Sequence, residues 1–204
     1  NELSMISDDI GGEGRTHDTW ISFWVKIPQD NFDGTVGHNM GGLYRSLANS
    51  AYDEADNINL VNPFCLFGIT KSGAPELTFL ESLSPGNRMR YTGDVTPSDK
   101  NIEPNEWAHV AWLIKVPENI AGVYQYKDMV ELYIDGQPVP VAAVDEGNGN
   151  PNSSSVAWWY GASQLEVLLG NQTRGFAADN SGDAGEGFWG AVGEFLIFTQ
   201  PVGN

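Results

Sequence analysis

Cysteine is almost missing from this sequence: Cys65 stands alone among 204 residues. No intrachain disulfide can form. Cys65 sits between apolar neighbours in "NPFCLFGIT", which reads as a small buried hydrophobe rather than a nucleophile. Basic residues are scarce too, with 10 Lys and Arg against 27 Asp and Glu, a formal charge of −17. A field of that sign repels phosphate, so nucleic acid and anionic membrane are not expected partners. The plainest account of the excess is a solvated acidic surface; a sharper one is that some carboxylates hold cations. No run of about 18 apolar residues occurs, so no membrane insertion is expected. There is no G-x-S-x-G, no phosphate loop, no G-x-G-x-x-G after a strand and no C-x-x-C pair. Neither a signal peptide nor an initiator Met is seen, so Asn1 suggests a processed protein or a module of a larger one.

What is plentiful is glycine, 24 residues, and aromatics, with 7 Trp, 7 Tyr and 9 Phe. Glycine serves turns and aromatics favour strands, and together they point to an all-β protein. At 41% hydrophobic and 18% charged the chain has the balance of a globular domain. Its length fits one domain spanning residues 1–204.

The clearest ribbons alternate with period two. In "TWISFWVKI" (19–27), Trp20, Ser22 and Trp24 face one way while Ile21, Phe23 and Val25 face the other. In "EWAHVAWLIKV", Val110, Trp112, Ile114 and Val116 share one face; Trp107, His109, Ala111 and Leu113 share the other. Both faces are largely apolar, which predicts a central strand covered on both sides. "MVELYIDGQPVPV" alternates Val130, Leu132 and Ile134 with Glu131, Tyr133 and Asp135, then offers Asp135-Gly136 for a type I′ turn. Pro138 and Pro140, two apart, remove donors from one side of the return strand and predict an edge. "FCLFGIT" (64–70), "ELTFLES" (76–82), "RMRYTG" (88–93), "SQLEVLLG" (163–170) and "FWGAVGEFLIF" (188–198) complete the expected strands. "LYRSLANSAYDEA" is expected as a short helix, with Leu43 and Leu47 one turn apart. Many short strands with turns between them predict a two-sheet antiparallel jelly-roll sandwich.

In order and spacing, "TWISFWVKI", "NEWAHVAWLI", "ELYIDGQPV", "LLG" and "FWGAVGEFLIF" resemble the concanavalin A-like, laminin G-like superfamily. The resemblance runs over about residues 19–199. It implies a jelly-roll sandwich of the kind that hosts lectins, adhesion modules, lyases and glycosidases. Trp24 matches the aromatic of the first strand, and Trp107, His109, Val110 and Ala111 match a W-x-H-V-A strand. His109 is then expected in a packed, hydrogen-bonded core role. Similar domains close with Asp-Glu; this chain has Gly193-Glu194, and so lacks the carboxylate that often supports a structural calcium there.

Chemistry is hard to find. Glycoside hydrolysis needs two carboxylates about 5–10 Å apart across a cleft. The E-x-D-x-x-E strand of glycosidases with this type of fold is absent, and "YDEADN" (52–57) lies in a loop-like segment. The R-[ST]-E-[LV]-R and Q-I-H strands of alginate-lyase relatives are absent as well. The chain therefore reads as non-catalytic, with no catalytic residue assigned. Recognition is better supplied. Pyranose C–H faces stack on Trp and Tyr, while hydroxyls bond Asn, Asp, Gln and Arg. "SVAWWYGAS" offers Trp158, Trp159 and Tyr160 in a row as the leading glycan platform, with Tyr52, Arg90 and Asn171 as further candidates. Trp20, Trp24, Trp107, Trp112 and Trp189 are expected in the core. In "DNSGDAGE", Asp179, Asp183 and Glu186 offer hard oxygen ligands in a glycine-rich loop, a candidate structural Ca²⁺ site. The reading is a lectin-like module of a secreted or cell-surface protein whose partner is a glycan or polysaccharide. Two alternatives stand beside it: an adhesion module that binds other surface proteins, and a polysaccharide-active enzyme.

Overall fold

The computed structural model describes residues 17–29, 38–45, 63–70, 73–80, 88–94, 102–115, 118–121, 123–145, 165–169 and 190–201. In chain order the strands are β1 (His17–Lys26), β2 (His38–Arg45), β3 (Pro63–Ile69), β4 (Pro75–Leu80), β5 (Arg88–Gly93), β6 (Ala108–Ile114) and β7 (Asn119–Ile120). They continue with β8 (Val123–Tyr124), β9 (Val130–Ile134), β10 (Gln137–Val139), β11 (Val141–Asp145), β12 (Leu165–Leu169) and β13 (Ala191–Pro201). A 3-10 turn, Tyr126–Asp128, precedes β9.

Two sheets result, one ordered β10-β9-β6-β1-β13 and the other β11-β5-β4-β3-β2-β12, while β7 and β8 form a small ribbon. Their ladders are antiparallel. The chain starts in the five-stranded sheet, meanders through β2 to β5 in the other, and returns with β6 beside β1. After β9 and β10 it crosses again, placing β11 and β12 on opposite edges of the six-stranded sheet, and ends with β13 on the free flank of β1. This wrapping between two facing layers makes a jelly-roll sandwich.

Side-chain parity fills the space between the layers. Ile21, Phe23 and Val25 of β1, Val110, Trp112 and Ile114 of β6, and Val130, Leu132 and Ile134 of β9 all point inward. Phe67, Ile69, Leu77, Phe79, Met89 and Tyr91 meet them from the six-stranded sheet. Phe23, Phe67 and Phe195 form an aromatic knot, with ring centroids 5.3–6.1 Å apart. Tyr91 is buried and donates its hydroxyl to the carbonyl of Tyr126 at 2.6 Å, so its one polar atom is satisfied. Trp112 is buried with its indole Nε1–H unpartnered, a cost of about 1–3 kcal/mol that its packing must offset. The sheets approach closely at Gly93, where a Cβ would lie 2.6 Å from Leu132 Cδ2.

β6 is the middle strand of its sheet, as its two apolar faces predict. Asp135 and Gly136 take φ of 49° and 75°, the positive values of a type I′ turn, and the proline-bearing β10 is an edge. The expected helix from Leu43 is not formed at its start, since Leu43, Tyr44 and Arg45 belong to β2, where Leu43 and Tyr44 pair with both β3 and β12 and Arg45 with β12. Hydrogen bonds from two flanking strands override a weak helical stripe there. The rest of that expected helix lies outside the described residues.

β13 holds one irregularity. Ser22 pairs with Leu196 and Trp24 with Gly193, so two residues, Glu194 and Phe195, stand opposite Phe23. This is a bulge, and Glu194 enters it with φ of 44°, a conformation usually left to glycine. Glu194→Gly is expected to stabilise the fold by about 0.5–1 kcal/mol, seen as a higher urea midpoint at unchanged slope. A lower midpoint would mean that the Glu194 side chain contributes more than its backbone strain costs.

Candidate functional site

The bulge lies beneath the most conspicuous surface among the described residues. Parity sends Trp20, Ser22 and Trp24 of β1 to the outward face of the five-stranded sheet, with His109, Ala111 and Leu113 of β6 beside them in register. No second layer covers this face among the described residues, so its side chains cover one another. Trp20 lies across the sheet against Tyr133 at 5.7 Å and stacks on Phe198 at 6.0 Å, over the buried Ala111 and Leu113. At the other end of the face Trp24 remains 37% exposed and Trp107, one residue before β6, 48% exposed. Their expected place in the core, like that of Trp20, is corrected: only Trp112 of these four is inside. Residue type favoured burial, but the period-two rule sends these three rings to the uncovered side. Trp189 lies outside the described residues.

Trp24 and Trp107 both border Gly193. A Cβ there would touch Trp24 Cβ at 3.7 Å and the benzo edge of Trp107 at 3.9 and 4.0 Å. The position where similar domains carry Asp is thus occupied by an aromatic contact. Polar groups ring the pair. The His109 ring lies 5.2 Å from Trp24, and its Nε2 shares a 2.8 Å hydrogen bond with Ser22 Oγ. Asp135 accepts the backbone N–H of His109 at 2.8 Å and returns its own N–H to the His109 carbonyl at 2.9 Å. Glu106, Asp135 and Glu194 are exposed around it. Three of the four described non-glycine residues with positive φ, Asn105, Asp135 and Glu194, flank this one patch. The fourth is Ala121, in the small ribbon. Asp135 takes this conformation as a turn residue and Asn105 at little cost, so Glu194 is the costly one of the three.

The Ser22–His109 pair invites comparison with a nucleophile and its base. The Asp135 carboxylate holds the backbone of His109 rather than its ring, so among the described residues the imidazole has no orienting acid. β1 is paired on both sides, which engages the main-chain donors an oxyanion would need. The pair instead braces Trp24: His109 is hydrogen-bonded as expected, but it lies half-buried on the outward face rather than in the core, because its parity is that of Trp24.

No family model matches the sequence, and no curated protein matches it. Among solved structures it is similar to the native heptameric SAP-like pentraxin from Limulus polyphemus, at 12% identity and a TM-score of 0.36. That alignment covers 95% of this chain and 77% of the pentraxin chain. So slight a likeness bears on nothing further, and the sheet order alone carries the fold.

Arg90 lies far from the tryptophan pair, on the outward face of the six-stranded sheet. Its Nη1 is 3.7 Å from Glu76 Oε2, and the hydroxyls of Thr78 and Thr92 approach the same carboxylate at 3.5 and 3.4 Å. Trp158, Trp159, Tyr160, Tyr52 and Asn171 lie outside the described residues, as do the candidate calcium ligands Asp179, Asp183 and Glu186. The described residues contain no cluster of three or more His, Cys, Asp or Glu able to hold a metal. None of their helices is long and apolar enough to cross a membrane.

One titrating network borders the Trp20 end of the aromatic face. Lys115 Nζ bonds Glu131 Oε1 at 2.9 Å, and the Tyr133 hydroxyl donates to Glu131 Oε2 at 2.7 Å. The Lys115 hydrogen bond, then that of Tyr133, holds Glu131 below the usual carboxylate range. Tyr133 is pushed up, first by that same hydrogen bond and then by burial. A lowered carboxylate pKa contributes stability above its unfolded value, lost as pH falls through the folded one; a raised tyrosine contributes below its unfolded value, lost as pH rises. Lys115→Ala is therefore expected to raise the Glu131 pKa, followed by carboxylate NMR. Because both partners are exposed, it should cost only about 0.2–1 kcal/mol near neutral pH and nothing once Glu131 is protonated.

Proposed function

We propose that this chain is a non-catalytic, lectin-like module of a secreted or cell-surface protein, and that it binds a neutral glycan. One observation carries the reading: the exposed side chains of Trp24 and Trp107 beside Gly193, on one face of the five-stranded sheet and bordered by hydrogen-bonding groups. A pyranose needs just such a floor for its C–H face, and acceptors at the edge for its hydroxyls. Rings fixed by packing lose little freedom on binding, which favours affinity. The carboxylates of Glu106, Asp135 and Glu194, within a charge of −17, favour a hydroxyl-rich ligand and repel uronates and sulfated sugars. Trp158, Trp159 and Tyr160, with Tyr52 and Asn171, remain the further candidates for sugar contact, and Arg90 would serve a glycan crossing the other sheet. Calcium bound by Asp179, Asp183 and Glu186 would fix their loop; carboxylates at that spacing suit the ion.

The test is a panel of neutral and acidic polysaccharides read by tryptophan fluorescence, with and without chelator, and by product analysis. Binding of neutral members without cleavage is the expected result. Depolymerisation of any member, or binding of proteins alone, would overturn it. Unchanged thermal stability on chelation would remove calcium.

A further inference from the structure

The two edges of the five-stranded sheet are built differently. β10 is three residues long and carries Pro138, with Pro140 immediately after it. Short, proline-bearing edges discourage a further strand. β13, at the opposite edge, is eleven residues long and hydrogen-bonds only β1 among the described strands. Its bulge is confined to the first half. From Leu196 to Pro201 it runs in regular register against Ser22 to His17. Among the described residues, the outer edge of this regular half therefore presents an unbroken row of main-chain donors and acceptors, ended by Pro201.

The same half is uncharged. Residues 195–201 read "FLIFTQP" in a chain holding 37 charged side chains (10 + 27). Leu196 is 55% exposed and Phe198 47% exposed. A protein at −17 repels its own copies over most of its surface. A segment meant to meet itself must lack charge, because like charges directly opposite across a ladder are destabilising. Two such segments can pair antiparallel about a two-fold axis, each satisfying the other's edge.

We infer that β13 is a self-association edge, through which residues 195–201 pair with the same residues of a second copy to make one continuous ten-stranded sheet. The two-fold runs perpendicular to the sheet, so both outward aromatic faces lie on the same side. With the axis at Phe198, the two Trp24 side chains are separated by roughly 30 Å, from three strand spacings across and about eight residues along. If the glycan reading holds, the pair then presents two platforms to one polymer and gains avidity. The pairing itself does not depend on that reading.

Light scattering of the whole chain over a concentration series decides the matter. The wild type is expected to have the mass of two chains, and Leu196→Glu the mass of one, with unchanged circular dichroism and thermal midpoint. Val144→Glu, at a comparably exposed position (51%) on edge strand β11 of the other sheet, should stay paired. A wild type that is monomeric at its highest soluble concentration overturns the inference. So does a dimer that survives Leu196→Glu, or one that Val144→Glu also splits. Since the readout is mass, failure here leaves glycan binding untouched, and a monomer that binds sugar would separate the two.

Discussion

Phe23→Ala is expected to destabilise the fold by about 3–5 kcal/mol, the range for emptying a buried phenylalanine site. Phe23 is fully buried and touches Phe67 across the sandwich at 5.6 Å and Phe195 on the neighbouring strand at 6.1 Å. The alanine would leave a gap that strands of two different sheets would have to close, and hydrogen-bonded ladders resist such movement. Against a typical total of about 5–15 kcal/mol, that is a large share of the stability. Urea unfolding would show a lower midpoint at unchanged slope. The neighbouring Trp24→Ala, on the same strand but facing outward, should cost much less. Equal losses at the two positions would mean that the inward and outward faces are assigned wrongly.

That contrast between adjacent residues also marks what the sequence could reveal. Alternation in 19–27 separates Phe23 from Trp24, and the structure places them on opposite faces. The Asp135-Gly136 turn and the proline edge were equally legible, because turn geometry and missing donors are local properties. What covers a face is not local. Trp24 and Trp107 read as core because large rings are commonly buried, and only the assembled sandwich shows that no second layer lies on this side of the five-stranded sheet among the described residues. The signal was nevertheless present, since residues alternating with an inward set must face outward.

Two other features escaped for related reasons. β2, "HNMGGLYR", has no apolar alternation and exists through pairing on both sides, with β3 and β12. The bulge at Glu194–Phe195 breaks the period of two, so a strict alternation through "AVGEFLIF" assigns Val192 and Phe195 to opposite faces. Both in fact pack against the core. From the sequence, Gly193-Glu194 reads as a lost metal ligand. In the structure the pair forms the start of the bulge, with Gly193 beside the Trp24 Cβ and the edge of the Trp107 ring.

The second large effect concerns those rings. Trp24→Ala and Trp107→Ala are each expected to weaken glycan binding about tenfold, and the double variant on the order of a hundredfold, if each stacked ring contributes about 1.4 kcal/mol. Both side chains are more than a third exposed, so the thermal midpoint should fall little beside that of Phe23→Ala. Phenylalanine at either position should recover part of the affinity, because a smaller ring still offers a face; leucine should not, although it is equally apolar. That difference separates stacking on a sugar from a merely greasy contact with protein. Glu194→Gly gives a sharper version, since relief of its left-handed backbone should stabilise the fold while removing a hydroxyl acceptor from the rim. A variant that is more stable yet binds more weakly would place the strain of the bulge in the service of the site. Affinity that persists in the Trp24/Trp107 double variant but vanishes with Trp158→Ala and Tyr160→Ala would move the site to the rim loops. Loss in neither set would leave this face without a glycan.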